Sequence, residues 1–115
     1  MALQIANHTV HGTAVVALSG RIVLGDESSA LRANVNGLIA NGTKKIILNV
    51  DRIQYIDSSG LGILVAMYRA AKLHGASLAL CNLGSHFQEV MQVTRLLTVF
   101  DTYKTEADAV FGLAS

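Results

Sequence analysis

Residues 44–83 read KKIILNVDRIQYIDSSGLGILVAMYRAAKLHGASLALCNL. This stretch begins with KKIILNV, a β-rich run that is apolar on both faces, as is typical of a central strand between packed layers. Apolar residues then recur at helical spacing from about Ser59 to His74, and ASLALCNL at 76–83 returns to a strand pattern. We therefore predict a strand, a helix and a second strand in this order.

The sequence before this stretch predicts a hairpin and a further helix. Residues 3–22 alternate loosely and break at His11-Gly12, which predicts two strands joined by a turn. Apolar residues recur at helical spacing after Gly25, and Asn41-Gly42 can end that helix. Residues 26–29 offer side chains that cap a helix and an acid that favours its N-terminus.

The sequence after the quoted stretch predicts one more strand and two helices. SHFQEVMQV at 85–93 predicts a helix, LTVF at 97–100 an edge strand and EADAVFGL at 106–113 a terminal helix. Alternating strands and helices imply parallel strands joined by helical crossovers. We predict one α/β domain over residues 1–115, with a mixed sheet of four to five strands, an antiparallel N-terminal hairpin and about four helices.

The composition fits a folded domain and argues against several classes of protein. The chain has 115 residues, of which 51% are apolar and 15% charged, so it carries enough apolar side chains for a core. A formal net charge of +1 and scattered Lys and Arg residues argue against nucleic acid as a partner. The lone Cys81, with no signal-peptide pattern and no long apolar stretch, predicts a cytoplasmic protein without membrane insertion.

Three catalytic or ligand-binding patterns are approached but not completed. Gly37 and Gly42, followed by Thr43-Lys44-Lys45, depart from a phosphate-binding P-loop in spacing and lie at the wrong end of a helix. The histidines lack the spacing of metal ligands, so we expect no metal site and no cofactor. A hydrolase nucleophile elbow has a glycine two residues before its serine and another two residues after it. Ser58 lacks the first of these glycines, and Ser59 lacks both. The residue pattern therefore gives little support to a catalytic serine.

The start of the central helix carries three residues that can cap it, Asp57, Ser58 and Ser59. One such side chain satisfies free N–H groups and stabilises by about 1 kcal/mol, so capping explains one of the three. Gly60 and Gly62 each cost roughly 1 kcal/mol relative to Ala in a helix. Their presence predicts that something approaches the helix backbone closely.

The same helix has an outward stripe when residues are projected at about 100 degrees each. The stripe consists of Leu61, Val65, Arg69 and Lys72. Mixed apolar and basic side chains beside a cluster of hydroxyls make a suitable protein-docking surface. The stripe fits a solvated face with two exposed aliphatic residues equally well, so the pattern leaves both explanations open.

With these features on the helix, the quoted stretch resembles the STAS domain of bacterial anti-sigma factor antagonists. The most specific match is DSSGLG at 57–62 after a strand, followed by a helix and by Gly75 before the next strand. Weaker matches are LSGRI at 18–22 and EADA at 106–109, so the resemblance covers nearly the whole chain.

The resemblance implies a single STAS domain that binds proteins and has no catalytic activity of its own. It implies a partner that is both an anti-sigma factor and a serine kinase. Phosphorylation of Ser58 would release this partner, and a serine phosphatase would remove the phosphate again. Together with the outward stripe it gives a predicted partner-binding set: Asp57, Ser58, Ser59, Gly60, Leu61, Gly62, Val65 and Arg69.

A phosphate on Ser58 would add about −1.5 to −2 charge at a helix N-terminus, where free N–H groups favour it. We therefore expect the fold to tolerate the modification and the interface to lose affinity. Two positions depart from the family pattern: Val23 stands where many members carry an acid, and Arg95 adds a cation before the last strand.

Two alternatives use the same residues differently. The first is a STAS subunit of another assembly, such as a signalling scaffold or a transporter-associated subunit, that binds through the same face. The second is a serine-dependent enzyme, which a serine-reactive probe would label.

Overall fold

The strand predicted at residues 44–50 is the middle strand of a five-stranded sheet. The computed structural model describes residues 3–114, and its strands are β1 (Leu3–Val10), β2 (Thr13–Ile22), β3 (Lys45–Ile56), β4 (Ser77–Cys81) and β5 (Asp101–Tyr103). Its helices are α1 (Asp26–Ala40), α2 (Ser58–Leu73), α3 (Ser85–Val93) and α4 (Glu106–Ala114). β1 pairs antiparallel with β2, and β2 to β5 run parallel in chain order. The predicted fold class is confirmed, and most elements lie close to their predicted bounds.

Successive side chains along a strand point to opposite faces of the sheet, and each face carries its own hydrophobic core. Val16 and Leu48 enter the larger core, to which α1, α2 and α3 contribute buried side chains. The preceding residue on each strand, Val15 and Ile47, enters a smaller core that Ala109 of α4 completes. The helix that bears the predicted site, α2, therefore packs on the face with the larger core.

β3 continues past its predicted end to Ile56. The added half pairs with β2 across register shifts that follow Ala17 and Gly20. Its exposed polar residues, Asp51 and Arg52 among them, resemble a loop in the sequence. This longer strand leaves one residue, Asp57, between β3 and α2.

The edge strand predicted at 97–100 is wrong. Leu96–Thr98 forms a short 3-10 turn, and β5 begins only at Asp101. Arg95 precedes the turn with a φ of 64°, and its carbonyl accepts hydrogen bonds from the N–H of Thr98 at 3.3 Å and from the Thr98 hydroxyl at 2.7 Å. These local hydrogen bonds outweigh the β propensity of the segment.

The side-chain cap predicted for α1 is also wrong. Gly25 is the N-cap residue, and no side chain caps this helix. The buried Ser28 hydroxyl donates instead to the Val23 carbonyl. Asp26 and Glu27 do place acid in the first turn, where it favours the positive end of the helix.

Candidate functional site

Ser58 is the first residue of α2 and is exposed. The residue before it, Asp57, has an extended backbone, and its Oδ1 accepts a hydrogen bond from the N–H of Gly60 at 2.8 Å. The sequence allows any of three residues to cap α2, and the structure shows that the cap is Asp57. Within residues 3–114, neither Ser58 nor Ser59 uses its hydroxyl in a hydrogen bond. The Ser58 hydroxyl is thus exposed and stabilises the described part of the fold through no hydrogen bond.

The second oxygen of Asp57 fastens the β2–α1 loop to the same point. Asp57 Oδ2 accepts from the N–H of Leu24 at 3.3 Å, and the Asp57 N–H donates to the Ile22 carbonyl at 3.2 Å. The Leu24 residue itself is 80% exposed. The loop and the start of α2 therefore form one continuous surface, on which Leu24 and Ser58 both face solvent.

Gly60 makes the close approach that the sequence predicts, and the approaching group belongs to this chain. A Cβ on Gly60 would overlap the carbonyl oxygen of Ile22 and lie 2.8 Å from Ile56 Cγ1. Gly62 differs, because a Cβ there would meet nothing within 4 Å and the residue is exposed. The tight packing of β2 against α2 explains Gly60 and leaves Gly62 without a structural reason.

The predicted division of α2 into a core side and an outward side is largely right. Leu64 and Met67 are buried, as predicted. Leu61, which the helical projection assigns to the outward stripe, is half-buried and packs against the larger core. Lys72 is exposed, with its Nζ 5.5 Å from the centroid of the Tyr68 ring. Leu61 therefore contributes to packing, and the outward stripe is narrower than predicted.

Four residues define the outer face of α2: Ser58, Gly62, Val65 and Arg69. Their spacing of three or four residues places them along one side of the helix. Gly62, Val65 and Arg69 line a surface groove of about 370 Å³, and Arg32 of α1 lies in the same lining. Sequence reasoning missed Arg32, because the helical period of α1 does not show which of its faces meets α2.

A second polar cluster lies on the other face of the sheet, where α4 begins. His8 Nε2 lies 3.0 Å from Glu106 Oε2, and Asn49 Nδ2 donates to Glu106 Oε1 at 3.1 Å. The pKa of Glu106 is lowered, and the hydrogen bond with His8 is the largest cause. The hydrogen bond with Asn49 lowers it further, whereas partial burial opposes the shift. Burial raises the pKa of the Cys81 thiol to about 12, and the charges of Glu106 and Asp51 add to the shift. The cluster fastens α4 to the sheet, whereas the thiol stays protonated mainly because it is buried.

Within residues 3–114, no group of three or more His, Cys, Asp or Glu side chains is placed to hold a metal ion. In the same part of the chain, every helix is too short or too polar to cross a membrane.

Comparison with known proteins assigns this arrangement to a family. Residues 4–109 match the model of the STAS domain. The chain belongs to the STAS domain family. An anti-sigma F factor antagonist from Paenibacillus polymyxa is 26% identical over 114 residues, which cover 98% of this STAS domain and 97% of that protein.

Two solved structures share the fold of this STAS domain. An anti-sigma factor antagonist from Mycobacterium paratuberculosis has a TM-score of 0.86 and 22% identity, covering 99% of this chain and 96% of that one. The Bacillus cell fate determinant SpoIIAA, solved in its phosphorylated form, has a TM-score of 0.71 and 24% identity, covering 97% and 99%. The resemblance stated from the sequence is confirmed, since the relatives of this STAS domain are named anti-sigma factor antagonists.

The predicted partner-binding residues of the STAS domain therefore fall into groups with different structural roles. Asp57 and Gly60 build the junction between β2, β3 and α2, and Leu61 packs into the core. The remaining residues are exposed or half-buried: Ser58, Ser59, Gly62, Val65 and Arg69. Their contact with a partner stays a prediction.

Proposed function

We propose that this STAS domain is an anti-sigma factor antagonist that binds an anti-sigma factor with serine kinase activity while Ser58 is unphosphorylated. It works in the cytoplasm as a binding module, without a cofactor or catalytic activity of its own. Phosphorylation of Ser58 by the partner releases the complex, and a serine phosphatase restores the binding form. Membership of the STAS family and the names of the relatives support this class of function.

The position of Ser58 is the observation that carries the proposal. Its side chain is exposed, makes no hydrogen bond with the described residues, and stands at the head of the outer face of α2. A kinase can reach such a hydroxyl without unfolding any element. Gly62 supports docking on the same face, because a glycine that costs about 1 kcal/mol in a helix has no intramolecular reason there.

The charge of a phosphate would act on the complex and not on the fold. A phosphate on Ser58 would carry about −1.5 to −2 charge beside the first N–H groups of α2, which favour an anion. A partner that covers Ser58 would have to remove that charge from water, which is costly without a paired cation. The neighbouring Asp57 carboxylate adds repulsion in the same place. Affinity is therefore lost while folding stability is kept.

The test begins with identification of the partner. Tagged wild-type protein and Ser58→Asp are used as bait in cells of the source organism, and a kinase retained only by the wild type is then purified. Isothermal titration calorimetry should show that wild type and Ser58→Ala bind this kinase. Ser58→Asp should bind at least about a hundredfold more weakly, because burying an unpaired charge costs several kcal/mol. Its thermal midpoint should match that of the wild type.

Ser59→Ala is the matched control, since it removes the neighbouring hydroxyl of the same helix turn. With the kinase and ATP, wild type and Ser59→Ala should gain one phosphate each, and Ser58→Ala none. Equal affinity of Ser58→Asp and wild type would overturn the proposal, as would phosphate found on Ser59. A retained partner with no kinase activity would favour a STAS subunit of another assembly.

A further inference from the structure

Three side chains form a stack at the carboxyl end of β3. The Tyr55 and His86 rings have centroids 5.6 Å apart and planes inclined by 13°. The guanidinium carbon of Arg21 lies 5.3 Å from the centroid of the same Tyr55 ring. Arg21 and Tyr55 are partners in the β2–β3 register, and His86 belongs to the first turn of α3. We call these three residues the edge stack.

The edge stack is exposed and carries the positive charge of Arg21. Tyr55 is 42% exposed, which is high for a large aromatic residue, and Arg21 and His86 are exposed as well. Within residues 3–114, no carboxylate forms an ion pair with Arg21. A guanidinium held against an aromatic ring has lost much of its freedom already, so it can bind a carboxylate at a lower entropic cost. The stack therefore has the chemistry of a ready acceptor for an acidic group.

The edge stack adjoins the surface around Ser58. Tyr55 precedes Ser58 by three residues. Ile22, which follows Arg21, accepts the hydrogen bond from the Asp57 N–H at 3.2 Å. Because β2, β3 and β4 run parallel, the junctions after them lie at the same edge of the sheet. The exposed Leu24 lies on this edge too, in the loop that Asp57 holds.

We propose that the edge stack is a second contact for the partner that binds at Ser58, and that it receives an acidic segment of that partner. This inference rests on the proposed function. Tyr and Arg are among the residues that contribute most to binding energy at protein interfaces. Arg21 attracts the acidic segment, whereas a phosphate on Ser58 repels it. The charges at both residues therefore change the affinity for the same segment.

The test uses the kinase identified with wild type and Ser58→Asp, and measures its affinity by calorimetry at low and high salt. Arg21→Ala and Tyr55→Ala should each raise the Kd at least about tenfold at low salt, as expected for central interface residues. Arg21→Ala should also flatten the rise of Kd with salt, because it removes the charge that salt screens. A purely structural role for the stack would not change that salt dependence.

Two control variants keep the comparison specific. Tyr55→Phe retains the ring, and Phe111→Ala removes an aromatic residue that is 81% exposed on α4; both should stay within about twofold of wild type, well below a hot-spot effect. Thermal melts should show that Arg21→Ala is folded. If Tyr55→Ala unfolds, Arg21→Ala and its salt dependence decide the question.

The possible failures are distinguishable. If the wild type retains no kinase, the proposed function fails and the inference fails with it. If wild type binds and Ser58→Asp does not, but the stack variants keep wild-type affinity and salt dependence, only the inference is overturned. Arg21→Glu should weaken binding more than Arg21→Ala, and the reverse order would exclude an acidic partner segment.

Discussion

Replacing Gly60 with Ala tests whether this glycine serves the fold. The added Cβ would overlap the Ile22 carbonyl oxygen and lie 2.8 Å from Ile56 Cγ1 and 3.0 Å from the Ile22 carbonyl carbon. The Ile22 carbonyl is backbone and already accepts the Asp57 N–H, so it cannot rotate away as a side chain would. Overpacking of this kind costs about 1–3 kcal/mol and occasionally more, with the upper end expected where backbone must move.

Alanine also brings a gain that must be subtracted. Ala is favoured over Gly in a helix by about 1 kcal/mol. We therefore expect Gly60→Ala to lower the free energy of unfolding by about 2 kcal/mol or more, as the clash at the upper end exceeds the helix gain. Gly62→Ala is the matched control in the same helix, since its Cβ would meet nothing within 4 Å. That variant should gain about 0.5–1 kcal/mol.

Urea unfolding followed by far-UV circular dichroism measures both variants under the same conditions. The midpoint of Gly60→Ala should fall and that of Gly62→Ala should rise, with similar slopes, because compactness is unchanged. A Gly60→Ala protein as stable as wild type would refute the reasoning. A loss of kinase affinity by stable Gly62→Ala would place that glycine at the interface.

Three further predictions concern other parts of the fold. Asp57→Ala should lower the free energy of unfolding by about 1–2 kcal/mol through loss of the cap, and should speed amide hydrogen exchange at Leu24 and Gly60; unchanged exchange would contradict the assigned bonds. Because the pKa of Glu106 is lowered from 4.5 in the folded state, its carboxylate stabilises the fold above that pH, and this contribution disappears as the pH falls through the folded value. Urea titrations should therefore find Glu106→Gln less stable than wild type at neutral pH and equal to it in acid; a gap that persists in acid would speak against the linkage. Because Cys81 is buried and its pKa is raised to about 12, it should react with a thiol reagent only as fast as the protein unfolds, and rapid labelling of the native protein would be the contrary result.

The sequence predicts well those elements that a local apolar pattern specifies. α2 and α3 follow from helical periodicity, because their buried faces repeat within a few residues. The second half of β3 does not follow, since its strand conformation depends on pairing with β2 and not on its own polar residues. The sequence predicts the last strand too early in the chain, because turn hydrogen bonds around Arg95 act against the β propensity of the residues that follow.

The sequence indicates that the start of α2 is unusual, but it does not show the structural role of each residue there. Asp57, Ser58 and Ser59 are all good caps, and only the backbone at the end of β3 shows which one points at the Gly60 N–H. The reason for Gly60 is Ile22, which is distant in the sequence and close only in the fold. The sequence does not indicate that Tyr55 stacks with other side chains, because its two stacking partners come from β2 and α3.

The separation between Asp57 and Ser58 has a consequence for how such domains can vary. Asp57 carries both hydrogen bonds that join the loop to the helix, while the Ser58 side chain bonds to no described residue. Residue 58 can therefore change identity with little effect on folding. Under the proposed function, a library of all amino acids at this one position should yield folded domains that differ in whether they can be phosphorylated and in their affinity for the partner.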